Sequence, residues 1–217
     1  MPTETNTMTT KTIILDLDDT IFQTKSMDSK IFEPFFNHLI LKLKTSFDQQ
    51  SIDGIVIDLW QRPFDIVLKK YNIPLNSIAD SIDLLENLEL NLKISTFQDY
   101  TFIKNIQTQK FLVTTGLTSL QNAKIKALNI ENDFDKIVIN DSLKDTKTKQ
   151  DIFYDLKVEY NLIPEQTYVI GDNSESEIKA GNALNFTTIQ ILRENVIKGN
   201  NARHYINSFN ELDVILN

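Results

Sequence analysis

The chain has 217 residues, 41% hydrophobic and 24% charged, which suits one large domain or a core domain carrying an insertion. Its 30 acidic against 22 basic residues give a net charge of −8, a balance that disfavours nucleic acid and anionic membrane as partners. Cysteine is absent, which excludes disulfides, thiolate catalysis and Cys-ligated metal.

The opening stretch, MPTETNTMTTK, is polar where a signal peptide would be apolar. No apolar run approaches the ~20 residues that cross a bilayer. A cytoplasmic protein with a frayed first ten residues is the expectation. TIILDL (12–17) then reads as a first strand: it is apolar on consecutive positions, as in a parallel sheet covered on both faces. Residues 24–96 break into amphipathic helical patterns. SKIFEPFFNHLILKLKTSF sets Phe32, Phe36, Leu39, Leu43 and Phe47 on one face, and RPFDIVLKKYNIP and NSIADSIDLLENLEL follow, punctuated by Pro63 and Pro74. From residue 110 strands and helices alternate. The strands are KFLVTT (110–115), KIVIND (136–141), TYVIGD (167–172) and TTIQIL (187–192). LTSLQNAKIKALNI and KQDIFYDLKVEYNL are helical, and SESEIKAGNAL opens on a serine suited to an N-cap. The order predicts an α/β fold: a Rossmann-like, doubly wound parallel sheet of residues 1–23 and 97–217, with a small all-helical domain inserted at 24–96.

Ligands of such sheets bind beyond the carboxyl ends of the strands. Those ends carry Asp16 and Asp18, then Thr114, Thr115 and Gly116, then Asn140 and Asp141 with Lys144, Lys147 and Lys149 in the following loop, then Gly171 and Asp172 with Glu175 and Glu177. Carboxylates from two strands make a hard oxygen site that suits Mg²⁺. A threonine hydroxyl and loop N–H groups can hold phosphate oxygens, and a lysine can balance the clustered negative charge.

DLDDT (16–20), VTTG (113–116), Lys147 in KTKQDIF and GDNSESE (171–177) resemble, in order, the four motifs of the haloacid dehalogenase (HAD) superfamily. With their flanking strands they span residues 12–192. The resemblance implies a phosphatase whose helical cap follows the first strand, with Mg²⁺ as cofactor and a small phosphorylated metabolite as substrate. It implies Asp16 as nucleophile, Asp18 as general acid and then base, and Thr114, with Thr115, Gly116 and Lys147, as the phosphate-binding set. It assigns Asp16, Asp18 (through its main-chain carbonyl), Asp172 and Glu177 to the metal. The sequence departs from the pattern in two places. Thr148 follows Lys147 where proline is frequent, and Asn185 stands where a closing glycine is frequent, a residue that tolerates the left-handed conformation.

Plainer roles suit several neighbours. Asp19 reads as a cap or a solvated acid, Lys144 and Lys149 as solvated loop charges, Glu175 as an acid of a helix first turn, and His38, His204 and Arg62 as structural or solvated. The residues leave a phosphosugar mutase, a pyrophosphatase, a phosphonatase or a non-catalytic phosphate-binding protein open as alternatives; a dehalogenase would not need an acid at position 18.

Overall fold

A computed structural model describes residues 11–216; the fraying expected of the first ten lies outside them. Among the described residues one sheet of six parallel strands runs in the order β3-β2-β1-β4-β5-β6. The strands are β1 (Thr12–Leu15), β2 (Gln109–Thr115), β3 (Lys136–Asn140), β4 (Thr167–Gly171), β5 (Thr187–Ile191) and β6 (His204–Ile206). β1 lies at the centre, with Ile14 in register with Phe111 on one side and Val169 on the other. The order reverses at β1, so the strands flanking it open a crevice at their carboxyl ends.

Both faces of the sheet are covered, which is why the strands lack polar alternation. On one face Ile14, Phe111, Val113 and Val169 pack with Ile152, Phe153 and Leu156 of α7 (Lys149–Glu159) and Ala180 of α8 (Lys179–Ala183). On the other, Ile13, Leu15, Leu112 and Ile170 share a cluster with Ile125 and Leu128 of α6 (Thr118–Leu128) and Leu212 of α9 (Leu212–Leu216). The short strand β6 closes the far edge; neither it nor α9 is anticipated by the sequence.

Between β1 and β2 the chain forms α1 (Glu33–Leu43), α2 (Gln49–Gln61), α3 (Phe64–Lys70) and α4 (Ala79–Glu86), and then α5 (Tyr100–Asn105). The Asp48 side chain caps α2 by accepting from the Ser51 N–H, a start signal the sequence reading passed over. Phe35, Leu39 and Leu43 form the buried stripe of α1, and Phe36 stacks on Trp60 at 5.2 Å between ring centres. This helical segment meets the loop after β3 through polar side chains. Ser142 Oγ donates to Asp65 Oδ1 at 2.7 Å, and Lys144 Nζ lies 2.6 Å from Glu86 Oε1. At its base, Arg193 just beyond β5 forms a paired contact with Asp99 (2.8 and 3.1 Å), donates to the Thr20 carbonyl, and sits between the rings of Phe97 and Phe209. Asn185 adopts the left-handed conformation (φ 59°) that the sequence suggested for that corner.

Candidate active site

Strand β1 ends at Leu15, but the Asp16 N–H still bonds the Ile170 carbonyl at 3.0 Å, so its side chain is fixed by the sheet rather than by a loose turn. Asp16 is buried, as is Glu177, and Asp172 is half-buried on β4's exit. Oxygen atoms of these three carboxylates lie within 4.8 Å of one another. Gly171 makes this possible, because a Cβ there would collide with the Glu177 side chain. Glu177 is carried by the turn Ser174–Ile178, which Asn173 caps by accepting from the Glu175 N–H; the serine expected to cap this helix lies inside the turn. Glu177 Oε1 accepts from the Asn173 N–H at 2.7 Å.

The ammonium that meets these acids is that of Lys149. Its Nζ lies 2.5 Å from Asp16 Oδ1 and 2.9 Å from Glu177 Oε2, and its side chain is only 8% exposed. This corrects two expectations: Lys149 is not a solvated loop charge, and Lys147 is not at the acids. Lys147 faces solvent and pairs with Asp155 at 2.8 Å. The local sequence explains the shift. Asn140 Nδ2 holds the Lys147 carbonyl at 3.0 Å, and Thr148 then caps α7 in a reciprocal box with Asp151, which makes Lys149 the first helical residue. From there Lys149, Ile152, Phe153 and Leu156 occupy one buried stripe at spacings of three, four and seven. A lysine at the head of an apolar stripe is the signal that motif spacing obscured.

Electrostatics follow from the burial. Burial pushes Asp16 up to about 7 against the pull of Lys149, with the charges of Glu177 and Asp18 adding to the rise. Burial, reinforced by Glu177 and Asp16, pushes Asp172 up to about 9. Burial works against the charged form of Lys149, yet the two carboxylates outweigh it and hold the ammonium above its ordinary range. The same contact, helped by the Asn173 N–H, outweighs burial at Glu177 and holds that carboxyl low. Three acids around one ammonium leave negative charge in excess, and a hard dication fits this set of oxygen donors.

Asp18, two residues past Asp16, faces α6. Its Oδ1 receives Lys124 Nζ at 2.7 Å and its Oδ2 receives Gln121 Nε2 at 2.9 Å. Thr114 is buried at the end of β2, with Oγ1 2.5 Å from Gln121 Nε2. Thr115 is half-buried and contributes a carbonyl to the same amide, and Gly116 turns the chain at φ 150°. Asp141, at the end of β3, accepts from the Thr118 N–H and hydroxyl, and so anchors the start of α6. Asp19 accepts from the Thr24 N–H, and Arg62 lies exposed beside Asp58. Thus Asp16, Asp172, Glu177 and Lys149 converge directly, while Asp18 and Thr114 are joined to each other through Gln121. Gln121 and Lys124 were missed because no motif contains them.

The sequence matches the family model of haloacid dehalogenase-like hydrolases over residues 13–191. No curated protein matches it in sequence. A HAD phosphatase from Thermococcus onnurineus shares 18% identity at TM-score 0.63, over 95% of this chain and 97% of that one. A haloacid dehalogenase-like family hydrolase from Streptococcus pneumoniae shares 16% at TM-score 0.66, over 96% and 99%. A Bacillus subtilis protein described as a HAD-hydrolase, solved bound to magnesium and with interdomain movement, shares 19% at TM-score 0.59, over 96% and 99%. A dehalogenase also shares the fold, at 14% identity. At these identities the solved structures establish the fold alone. The family match over most of the chain establishes more: this protein belongs to the haloacid dehalogenase-like hydrolases.

Proposed function

We propose that the protein is a Mg²⁺-dependent phosphatase that hydrolyses a small phosphorylated metabolite through an aspartyl-phosphate. The observation that carries this reading is the pairing of Asp16, beside Lys149 and the two further acids, with a second aspartate, Asp18, held by its own donors two residues on. A nucleophile alone would serve a dehalogenase as well; the second acid is what a phosphate ester requires.

In the first half-reaction an Asp16 oxygen attacks phosphorus, the bond from phosphorus to the ester oxygen breaks, and that oxygen takes its electron pair and the Asp18 proton. In the second, Asp18, now a carboxylate, takes a proton from water. The water oxygen attacks phosphorus, and the bond to Asp16 breaks to restore its carboxylate. One ester and one water become one alcohol and one phosphate. Lys149 stays protonated between Asp16 and Glu177 and offsets the repulsion between a carboxylate and a phosphate dianion. The Thr114 hydroxyl accepts from Gln121, which leaves its own proton to donate to a phosphoryl oxygen. Asp16 and Asp172, with the Asp18 main-chain carbonyl, would hold Mg²⁺. Glu177 has one oxygen on Lys149 and the other on the Asn173 N–H, so it supports this set from behind. When bound, the metal supplies positive charge at the phosphoryl oxygens.

Residues 24–96 act in this reading as a cap that closes over the strand ends and excludes water. Hydrolysis of a panel of phosphate esters tests it. Turnover should require Mg²⁺, vanish in EDTA, and vanish in Asp16→Asn while the fold is kept. Asp16→Asn at wild-type rate, or full activity in excess chelator, would sink the mechanism.

A further inference from the structure

Gln121 and Lys124 lie one helical turn apart on α6, and both are buried where a helix stripe ordinarily carries apolar residues. The Lys124 side chain is 6% exposed, with its ammonium on Asp18 Oδ1 and 5.8 Å from the centre of the Phe22 ring. Gln121 directs its two amide N–H groups to Asp18 Oδ2 and Thr114 Oγ1, and the Thr115 carbonyl, at 3.3 Å, can only share one of them. Stability does not require this arrangement, since replacing an ion pair buried on one side by apolar residues of the same volume is often neutral or stabilising. The chain also makes room for it. A Cβ on Gly116 would lie 3.1 Å from Gln121 Cδ, tight enough to displace the amide.

We propose that Gln121 and Lys124 are positioning residues for leaving-group protonation: together they hold the Asp18 carboxyl group in one rotation, and Gln121 ties that orientation to the Thr114 hydroxyl. This rests on the phosphatase reading above and adds to it two side chains that touch neither substrate nor metal in that mechanism. Each Asp18 oxygen accepts from the same rigid helix, so the carboxyl group cannot turn about its own axis without breaking one contact; each oxygen has a second lone pair, and the proton that Asp18 delivers occupies one that Lys124 and Gln121 leave free. Thr24 Oγ1, at 3.4 Å from Oδ1, is a weaker third contact from the linker. A general acid must lie within hydrogen-bond reach of the oxygen it protonates, and a misplacement of about 1 Å can cost about a hundredfold. Because Gln121 also meets Thr114, the acid and the group that grips the transferring phosphoryl share one anchor.

The reading predicts a loss that depends on the leaving group. p-Nitrophenyl phosphate releases an anion stable enough to depart unprotonated; an alkyl phosphate such as glycerol phosphate does not. The quantity to compare is kcat/KM, which reports steps through the first bond cleavage. Lys124→Met should lower it at least about tenfold for the alkyl ester and less than about threefold for the aryl ester. Lys124→Arg should restore most of the alkyl activity. Binding of inorganic phosphate, measured by calorimetry, should stay within about threefold of wild type, since Asp18 positioning is not phosphate affinity. Should Lys124→Met fail to fold, Lys124→Gln, which keeps a neutral donor, should show the same selectivity at smaller size. Equal losses on both esters, or no loss on the alkyl ester, in a folded variant overturn this inference alone. A wild-type protein that cleaves no ester of the wider panel, these two included, overturns the phosphatase reading and this one with it.

Discussion

Lys149 is pinned between Asp16 and Glu177, so its removal leaves two buried carboxylates facing one another without a counter-charge. A charge-assisted contact of this kind is worth about 1.5–3 kcal/mol, or roughly ten- to a hundredfold in rate. Lys149→Met should therefore cut kcat/KM by at least about tenfold at any salt concentration. Lys147→Ala should cost less than about threefold, because its exposed pair with Asp155 contributes little and is screened by salt. A damaging Lys147→Ala beside a harmless Lys149→Met would reverse the assignment. The acids of the site were legible as strand ends, because a hydrophobic run that stops at an aspartate marks the crevice side of a parallel sheet. The lysine was not, because its position depends on where α7 begins. That is decided by Thr148 and Asp151 capping each other, and not by the count of residues to Phe153. Gln121 and Lys124 follow the same rule on α6, where they share the buried stripe of Ile125 and Leu128. In both helices the polar members of the stripe sit toward the N-terminal end, nearest the site.

At the scale of elements, the alternation of strands and helices from residue 110 onward was readable because β2, β3 and β4 each carry a short apolar run between turn residues. The helices α2 and α5 and the strand β6 were harder. α5 and β6 are short, and β6 presents His204 exposed at an edge and carries no run of its own. What fixes these pieces is tertiary. Arg193 beyond β5 reaches Asp99 ahead of α5, and the same carboxylate accepts the Phe209 N–H at 2.8 Å near the C-terminus. Burial opposes ionisation of Asp99, but the Arg193 guanidinium and the Phe209 N–H outweigh it and hold the carboxyl below the ordinary aspartate range. A carboxyl held low in the folded state stabilises that state above the pKa of the unfolded chain, and the benefit disappears as pH falls through the folded value. Asp99→Ala should thus lower stability near neutrality by about 3 kcal/mol, leaving a buried guanidinium unpaired. The gap from wild type should narrow as the pH is lowered below the ordinary aspartate range. Urea unfolding at several pH values measures it; a gap that does not change with pH would remove the ion pair as its cause.

Over the whole molecule, the helical segment 24–96 meets the loop after β3 through Ser142–Asp65 and Lys144–Glu86, both at the surface. Exposed contacts of this kind are worth about 0.2–1 kcal/mol each, enough to bias an opening without locking it. If the segment is a cap, a bound phosphate analogue should slow hydrogen exchange in the linkers at 22–26 and 94–100. The double variant Ser142→Ala, Lys144→Ala should weaken that protection about two- to fivefold while leaving exchange in the sheet unchanged. Linkers whose exchange ignores the analogue would rule the movement out. That helices follow one another between β1 and β2 could be read from the sequence as a change of rhythm. The contacts that join the two could not, since each pairs side chains distant in the chain.

The two linkers also meet one another. Phe22 bridges antiparallel to Thr96, and the Phe97 N–H bonds the Ile21 carbonyl at 2.9 Å, so the chain leaves the sheet and returns to it through adjacent backbone. Topologically the helical segment is a loop whose ends are already closed. The length between closed ends enters the free energy only logarithmically, each doubling adding about 0.6 kcal/mol. The closure term is therefore nearly indifferent to how much polypeptide hangs from this point, although Phe32, Phe35 and Leu39 of the segment share one buried cluster with Ile13 and Leu15 of β1. A longer or shorter segment could close here at a similar entropic cost, provided it covered the same apolar surface. The carboxylates at the strand ends would then keep their places while the inserted segment changed its length.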